Sequence, residues 1–167
     1  MGKTTVLERV LACLNVDAGG FFTREMRSGG KRTGFEIVTT DSERGILASV
    51  GARGPYRVGK YKVNVGELER VALPALERAI LESDLVVIDE IGTMELFSEC
   101  FQGAVKKAMD SEKPLLGVIK VKPHPFLDAI KQRRDVKLFA VTMKNRDELP
   151  SVVCEHMLGI LKGRKLS

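Results

Sequence analysis

The chain has 167 residues, 44% hydrophobic and 29% charged, with 27 basic against 22 acidic side chains and a net charge of +5. That length suits one domain, and that balance excludes a disordered or fibrous chain; with no Trp and only 5% aromatics, it also argues against an aromatic stacking platform for nucleic acid. No apolar run approaches the roughly 20 residues that span a bilayer and no signal peptide is visible, so a cytoplasmic protein with no membrane contact is expected.

The basic residues are scattered, with small clusters at Lys31-Arg32, Lys131 to Arg134 and Lys162 to Lys165. This pattern fits a solvated surface, or a small polyanionic ligand, better than a nucleic-acid footprint. Cys13, Cys100 and Cys154 are odd in number, far apart and without a Cys-x-x-Cys pair, so reduced thiols are expected rather than a disulfide or zinc site. His124 and His156 have no partners at metal-ligand spacing and read as structural or surface residues.

Along the chain, Val6, Leu7, Val10, Leu11 and Leu14 recur at helical spacing and predict a helix over 4–14. Short alternating segments follow at 21–27, 34–40, 46–50 and 56–63, separated by turn-like stretches such as Ser28-Gly29-Gly30-Lys31, and read as an antiparallel meander. Leu68, Val71, Ala72, Ala75, Leu76, Ala79 and Ile80 predict a long helix, bent or interrupted at Pro74. Leu85-Val86-Val87-Ile88 is an unbroken apolar run ending in Asp89-Glu90, the pattern of a strand buried on both faces of a parallel sheet. Beyond it the sequence predicts a helix at 98–110, a strand at 115–120, a helix at 126–133, a strand at 137–141 and a helix at 147–161. This alternation predicts a single α/β domain over 1–167, with a parallel core that the meander extends into a mixed sheet.

Gly2-Lys3-Thr4-Thr5 matches the end of the phosphate-loop pattern G-x-x-x-x-G-K-[ST]. In that pattern backbone N–H groups and a helix N-terminus cradle the phosphates, the Lys reaches the β and γ oxygens and the hydroxyl ligates Mg²⁺. Gly-Lys-Ser/Thr arises by chance in roughly one chain in ten of this length, so the competing reading is a plain helix start with Thr as its cap. Two features favour phosphate. The string opens an amphipathic helix, and Asp89-Glu90 supplies an independent second signature. A carboxylate delivered by a buried strand can hold Mg²⁺, and the adjacent Glu can orient or deprotonate a water. The expected assignments are therefore Gly2, Lys3, Thr4 and Thr5 for phosphate, Thr4 and Asp89 for Mg²⁺, and Lys3 and Glu90 for catalysis. Arg24 and Arg27 are candidates to reach the phosphates, against the competing reading of solvated strand-edge arginines.

Taken with these strings, Gly20-Phe21-Phe22-Thr23-Arg24-Glu25, Arg32-Thr33-Gly34-Phe35, 61–65, Asp89-Glu90-Ile91-Gly92-Thr93-Met94-Glu95-Leu96 and 142–147 resemble one family along essentially the whole chain. This is the family of small P-loop nucleoside-triphosphatases of thermophilic bacteria and archaea, whose animal member is called cancer-related nucleoside-triphosphatase. The resemblance implies a P-loop fold and a slow, Mg²⁺-dependent hydrolysis of ATP, GTP and other nucleoside triphosphates to diphosphate and phosphate, with broad base tolerance. It also implies that Asn145 and Arg146 lie beside the base, where Asn can hydrogen-bond and Arg can stack; from the residues alone, Asn145 reads equally as a helix cap.

Family members carry a strand and a complete Gly-rich loop before Gly-Lys-Thr-Thr, whereas here Met1 stands at the variable residue before Gly2. The expectation is that the natural protein is longer, that a central strand is missing from the sheet, and that its neighbours are left with a gap. Losing three or four buried apolar side chains would cost on the order of 5–10 kcal/mol, and loss of the front of the cradle would weaken phosphate binding and turnover. Two other readings stay open at this point: a small-molecule kinase, distinguished by dependence on an acceptor, and a nucleotide-binding switch or inactive binding protein, distinguished by binding without hydrolysis. RNA binding, suggested only by the basic balance, would show as steeply salt-dependent affinity indifferent to Lys3. A monomer that binds nucleoside triphosphates, with no nucleic-acid partner, is the expectation carried forward.

Overall fold

The computed structural model describes residues 2–166; Met1, which the sequence places before the Gly-Lys pair, lies outside them. In chain order the elements are α1 (Lys3–Leu14), β1 (Ala18–Ser28), β2 (Lys31–Thr39), β3 (Arg44–Ser49), β4 (Arg57–Val58), β5 (Tyr61–Val63), α2 (Val65–Glu82), β6 (Leu85–Ile91), a 3₁₀ turn (Glu95–Phe97), α3 (Glu99–Asp110), β7 (Leu115–Ile119), α4 (Pro125–Lys131) and α5 (Leu149–Leu166). They fall into two compact units: Ala18–Lys120, and the residues up to Asp17 together with those from Val121 onward.

The Ala18–Lys120 unit is built on a seven-stranded sheet in the order β4-β5-β3-β2-β1-β6-β7. The strand β6 runs parallel to both β1 and β7, and the remaining pairs are antiparallel, so the mixed sheet read from the sequence is present. β1 serves both halves. Its first residues pair in parallel with β6 and its later ones form a hairpin with β2, closed by Gly29 and Gly30 at φ +58° and +78°. Those two positive φ angles are what a tight two-residue hairpin loop demands. Leu85, Val86, Val87 and Ile88 are fully buried, as an apolar parallel strand requires.

Packing sets one severe local condition. At Gly20, φ is +137° and an added Cβ would lie 1.9 Å from the Val87 carbonyl oxygen, so only glycine lets β1 pair this closely with β6. Helix α2 continues through Pro74, so of the two outcomes expected there, a bend or an interruption, the interruption does not occur. Its buried stripe of Leu68, Val71, Ala72, Ala75, Leu76 and Ala79 extends on both sides of Pro74, and that packing offsets the hydrogen bond that Pro forfeits. The fourth strand of the predicted meander is in fact two short strands, β4 and β5, separated by a turn at Gly59 with φ +58°. No gap interrupts this sheet: β1, β6 and β7 are contiguous.

In the other unit α1 packs against α5. The α5 residues Leu149, Val153, Met157 and Leu161, at four-residue intervals, form a buried stripe. Cys13 of α1 and Cys154 of α5 are joined in a disulfide with Cα atoms 6.4 Å apart, and Cys100 is the free, exposed cysteine. This corrects the expectation of three reduced thiols: the partners are 141 residues apart in sequence, and only helix packing makes them neighbours. The segment 137–141 is not a strand, again contrary to expectation, because a strand exists only through its ladder and no described segment pairs with it. Instead Phe139 meets the His156 ring edge-on, with centroids 5.8 Å apart. His124 caps α4 by accepting from the Phe126 N–H at 3.1 Å, so both histidines have structural roles.

Candidate active site

Helix α1 opens at Gly2, which occupies the cap position in the left-handed region at φ +93°, with no cap side chain hydrogen-bonded to the first turn. Such a start suits an anion approaching the helix amides, and Lys3 and Thr4 stand in that first turn. Thr5 is exposed. A Cβ on Gly2 would meet only Val141 Cγ1 at 3.8 Å and Arg146 Cδ at 3.9 Å, so backbone conformation, not space, selects glycine here. The same contact shows that Gly2 and Arg146 are immediate neighbours, although 144 positions separate them in sequence.

Asn145 is committed to local structure. Its Oδ1 accepts from the Thr142 N–H at 2.8 Å, and its Nδ2 donates to the Ala140 carbonyl at 2.8 Å. Its own N–H donates to Thr142 Oγ1 at 3.2 Å, closing a compact turn that leads into α5 and leaves Arg146 exposed. Of the residues expected beside a base, Asn145 builds the turn and Arg146 projects from it. A distant ion pair, Arg9 to Asp147 at 3.9 Å, links α1 with the same turn.

In the Ala18–Lys120 unit, β6 carries Asp89 and Glu90 to its carboxyl end. Asp89 is 3% exposed and Glu90 half-buried. Phe22 of β1 pairs with Asp89, and Thr23 Oγ1 donates to the Asp89 carbonyl at 2.8 Å, so β1 braces the backbone that presents the two carboxylates. Arg24 lies two residues beyond that pairing, with its guanidinium 5.9 Å from the Phe22 ring centroid. Arg27 is three residues further along and is engaged by Glu25 at 2.9 Å and by the Gly30 carbonyl at 3.2 Å. Arg24 therefore stands near the level of Asp89, whereas Arg27 belongs to the distal hairpin.

One buried carboxyl escaped the sequence reading as a site residue. Glu95 opens the 3₁₀ turn, is 3% exposed, and accepts the Gly92 N–H through Oε2 at 3.1 Å. Burial pushes its pKa up to about 8, with further upward contributions from the Glu90 and Asp89 charges and opposing ones from backbone hydrogen bonds. The signal in the sequence was a third acid six residues after Asp89 inside an otherwise apolar string. A residue four places beyond a strand end reads by default as solvated, which hid it. Among the described residues no group of three or more His, Cys, Asp or Glu side chains is arranged to cage a metal. Mg²⁺ nevertheless fits the donor set, because it is satisfied by one or two protein oxygens together with water and phosphate.

A mixed sheet with a parallel core, a Gly-Lys-Thr helix start and a buried strand ending in Asp-Glu define a nucleotide-hydrolysing class of α/β protein. A family model described as NTPase matches residues 1–154, and the chain belongs to that family of nucleoside-triphosphatases. It is 48% identical over 162 residues to "Nucleoside-triphosphatase THEP1" of a Thermotoga species, covering 97% of this chain and 90% of that protein. The crystal structure of THEP1 from Aquifex aeolicus superposes with a TM-score of 0.84 at 36% identity, covering 92% of this chain and 91% of that one. The solution structure of a human cancer-related nucleoside triphosphatase superposes with a TM-score of 0.78 at 40% identity, covering 92% and 90%. The family resemblance read from the sequence therefore holds, and the chain is a hydrolase of the nucleoside-triphosphatase class.

Proposed function

We propose that this protein hydrolyses nucleoside 5′-triphosphates, ATP and GTP among others, to diphosphate and phosphate in a slow, Mg²⁺-dependent reaction with broad base tolerance. The observation that carries the reading is the delivery of Asp89 and Glu90 to the carboxyl end of a buried parallel strand, in a chain whose other signature, Lys3-Thr4, opens a helix. Lys3 neutralises charge on the γ-phosphoryl oxygens, assisted by Arg24, and the amides of Gly2 to Thr5 take part in holding the phosphates. Thr4 and Asp89 are the residues that would hold Mg²⁺, and the bound ion would offset phosphate charge. Glu90 orients a water in line. Its oxygen bonds to the γ-phosphorus as the bond to the bridging oxygen breaks, and Glu90 accepts the water's proton.

Arg146, presented by the Asn145 turn and adjacent to Gly2, stacks on the base face. Stacking is indifferent to base identity, which accounts for broad tolerance, and Asn145 acts through the turn that it ties. The test is phosphate release from ATP, GTP, CTP and UTP with no acceptor present. Mg²⁺-dependent release with all four, lost on chelation, is expected; release only in the presence of a nucleoside or sugar acceptor would point to a kinase instead.

A further inference from the structure

Gly92 links two acids of this loop. An added Cβ on Gly92 would sit 2.9 Å from Glu90 Oε1 and 3.1 Å from its Cδ, so the Glu90 carboxyl packs directly against the glycine. The Gly92 N–H in turn donates to Glu95 Oε2 at 3.1 Å inside the protein. The far side of this turn is anchored as well. The Leu96 N–H donates to the Gly92 carbonyl at 3.2 Å, the Ser98 N–H to the Glu95 carbonyl at 3.1 Å, and Gln102 Nε2 to the Leu96 carbonyl at 3.0 Å. Ser98 Oγ, itself 1% exposed, donates to Glu69 on α2 at 2.8 Å and accepts the Phe101 N–H at 2.9 Å. The turn is thus tied to both α2 and α3, while its one surface without a side chain, Gly92, faces the candidate water-orienting carboxylate.

We infer that Glu95 is a positioning residue for hydrolysis: by holding the Gly92 amide it fixes the glycine against which the Glu90 carboxylate packs, and so sets that carboxylate's direction. The inference rests on the proposed role of Glu90. An acid is a costly choice for a fully buried site, and an apolar residue would fill the volume without accepting the Gly92 N–H. A hydrogen bond that orients a reacting group acts on turnover more than on substrate affinity, because a small misdirection of the attacking water costs far more in the transition state than in the bound ground state.

The test uses the 167-residue protein and its Glu95→Ala, Glu95→Gln and Gly92→Ala variants. In Glu95→Ala, kcat for phosphate release should fall by about 10- to 100-fold with KM within about 3-fold. Glu95→Gln, whose amide oxygen still accepts the Gly92 N–H, should recover most of that loss, whereas Gly92→Ala should lose turnover because its methyl takes the place of the Glu90 carboxyl. Two NMR readouts need no turnover: exchange protection of the Gly92 amide and the side-chain carboxyl resonance of Glu90. Both should change in Glu95→Ala and stay near wild type in Glu95→Gln. Wild-type kcat in Glu95→Ala, or an unmoved Glu90 resonance there, overturns the inference. If Glu95→Ala does not fold, a loss of turnover of about 10-fold or more, or a displaced Glu90 resonance, in Glu95→Gln relative to wild type overturns it instead. Absence of Mg²⁺-dependent release in the wild-type protein counts against the hydrolase mechanism alone, and the Glu90 and Gly92 resonances then decide the role of Glu95.

Discussion

At the scale of single residues, Glu90 and Lys3 carry the proposed chemistry, and each has its own signature. Glu90→Gln should lower kcat by about 10²- to 10⁴-fold, the range of a lost general base, while leaving nucleotide affinity within a few-fold. Lys3→Ala should weaken both binding and turnover, because its charge meets the phosphates in ground and transition state alike. Single-turnover phosphate release beside nucleotide titration separates the two; a Glu90→Gln protein that turns over normally would remove Glu90 from the mechanism. Glu95 makes a prediction about stability. The folded protein holds its proton up to about pH 8, whereas an unburied glutamate gives its proton up near pH 4.5. Its contribution is therefore fully present below about pH 4.5 and lost as pH rises through about 8, a change of a few kcal/mol at about 1.4 kcal/mol per unit. Urea denaturation at pH 5, 7 and 9 should show wild-type stability falling more steeply than that of Glu95→Gln. Parallel slopes would mean that Glu95 is ionised in the native state. At Gly20 the constraint is steric, and Gly20→Ala should cost at least about 3 kcal/mol or prevent folding, since the Val87 backbone must move to admit a methyl.

At the scale of elements, the contrast between β6 and the segment 137–141 is instructive. Both are short apolar stretches, yet β6 has β1 and β7 as ladder partners while 137–141 has none among the described residues. Periodicity reports which residues prefer to be buried, but backbone hydrogen bonds decide whether a strand exists. Helices are more local. α1, α2, α3 and α5 lie within a few residues of their predicted limits, except that α5 continues to Leu166. The Cys13–Cys154 disulfide staples α1, the helix that opens with Gly2-Lys3-Thr4, to α5. Closing a chain segment of 141 residues is worth up to about 5 kcal/mol in the chain-entropy description and more usually 2–4. Calorimetry with and without dithiothreitol should show the reduced form, or Cys154→Ser, melting about 5–15 °C lower. Thiol titration of the unreduced, denatured protein should count one thiol, that of Cys100. Three thiols and an unchanged melting temperature would show that the pair stays reduced.

At the scale of the whole molecule, ligand binding couples to stability. Nucleotide with Mg²⁺ at about 100 times its dissociation constant should add about 2.7 kcal/mol, visible as a rise of several degrees in Tm. Chelation should abolish most of that rise; an equal shift from nucleotide alone would remove Mg²⁺ from the site. The net charge of +5 makes a polyanionic ligand welcome without specifying one. No helix among the described residues is long and apolar enough to cross a membrane.

Much of this protein was legible without coordinates because its signals are local. Gly-Lys-Thr at a helix start, an apolar run closed by Asp-Glu, and helical stripes along α1, α2 and α5 are patterns of neighbours in the chain. The chemistry proposed for them rests on residue type and spacing. What tertiary structure alone decided joins residues that sequence keeps apart: Cys13 with Cys154, Gly2 with Arg146, and β1 with β6 across the Gly20–Val87 contact. The same holds for Glu95. Its place in the string Asp89 to Leu96 was plain from the start, but not that packing would bury it, raise its pKa and turn it toward Gly92. Those properties come from the dielectric and the hydrogen-bond partners around the carboxyl, and these exist only once the chain has folded.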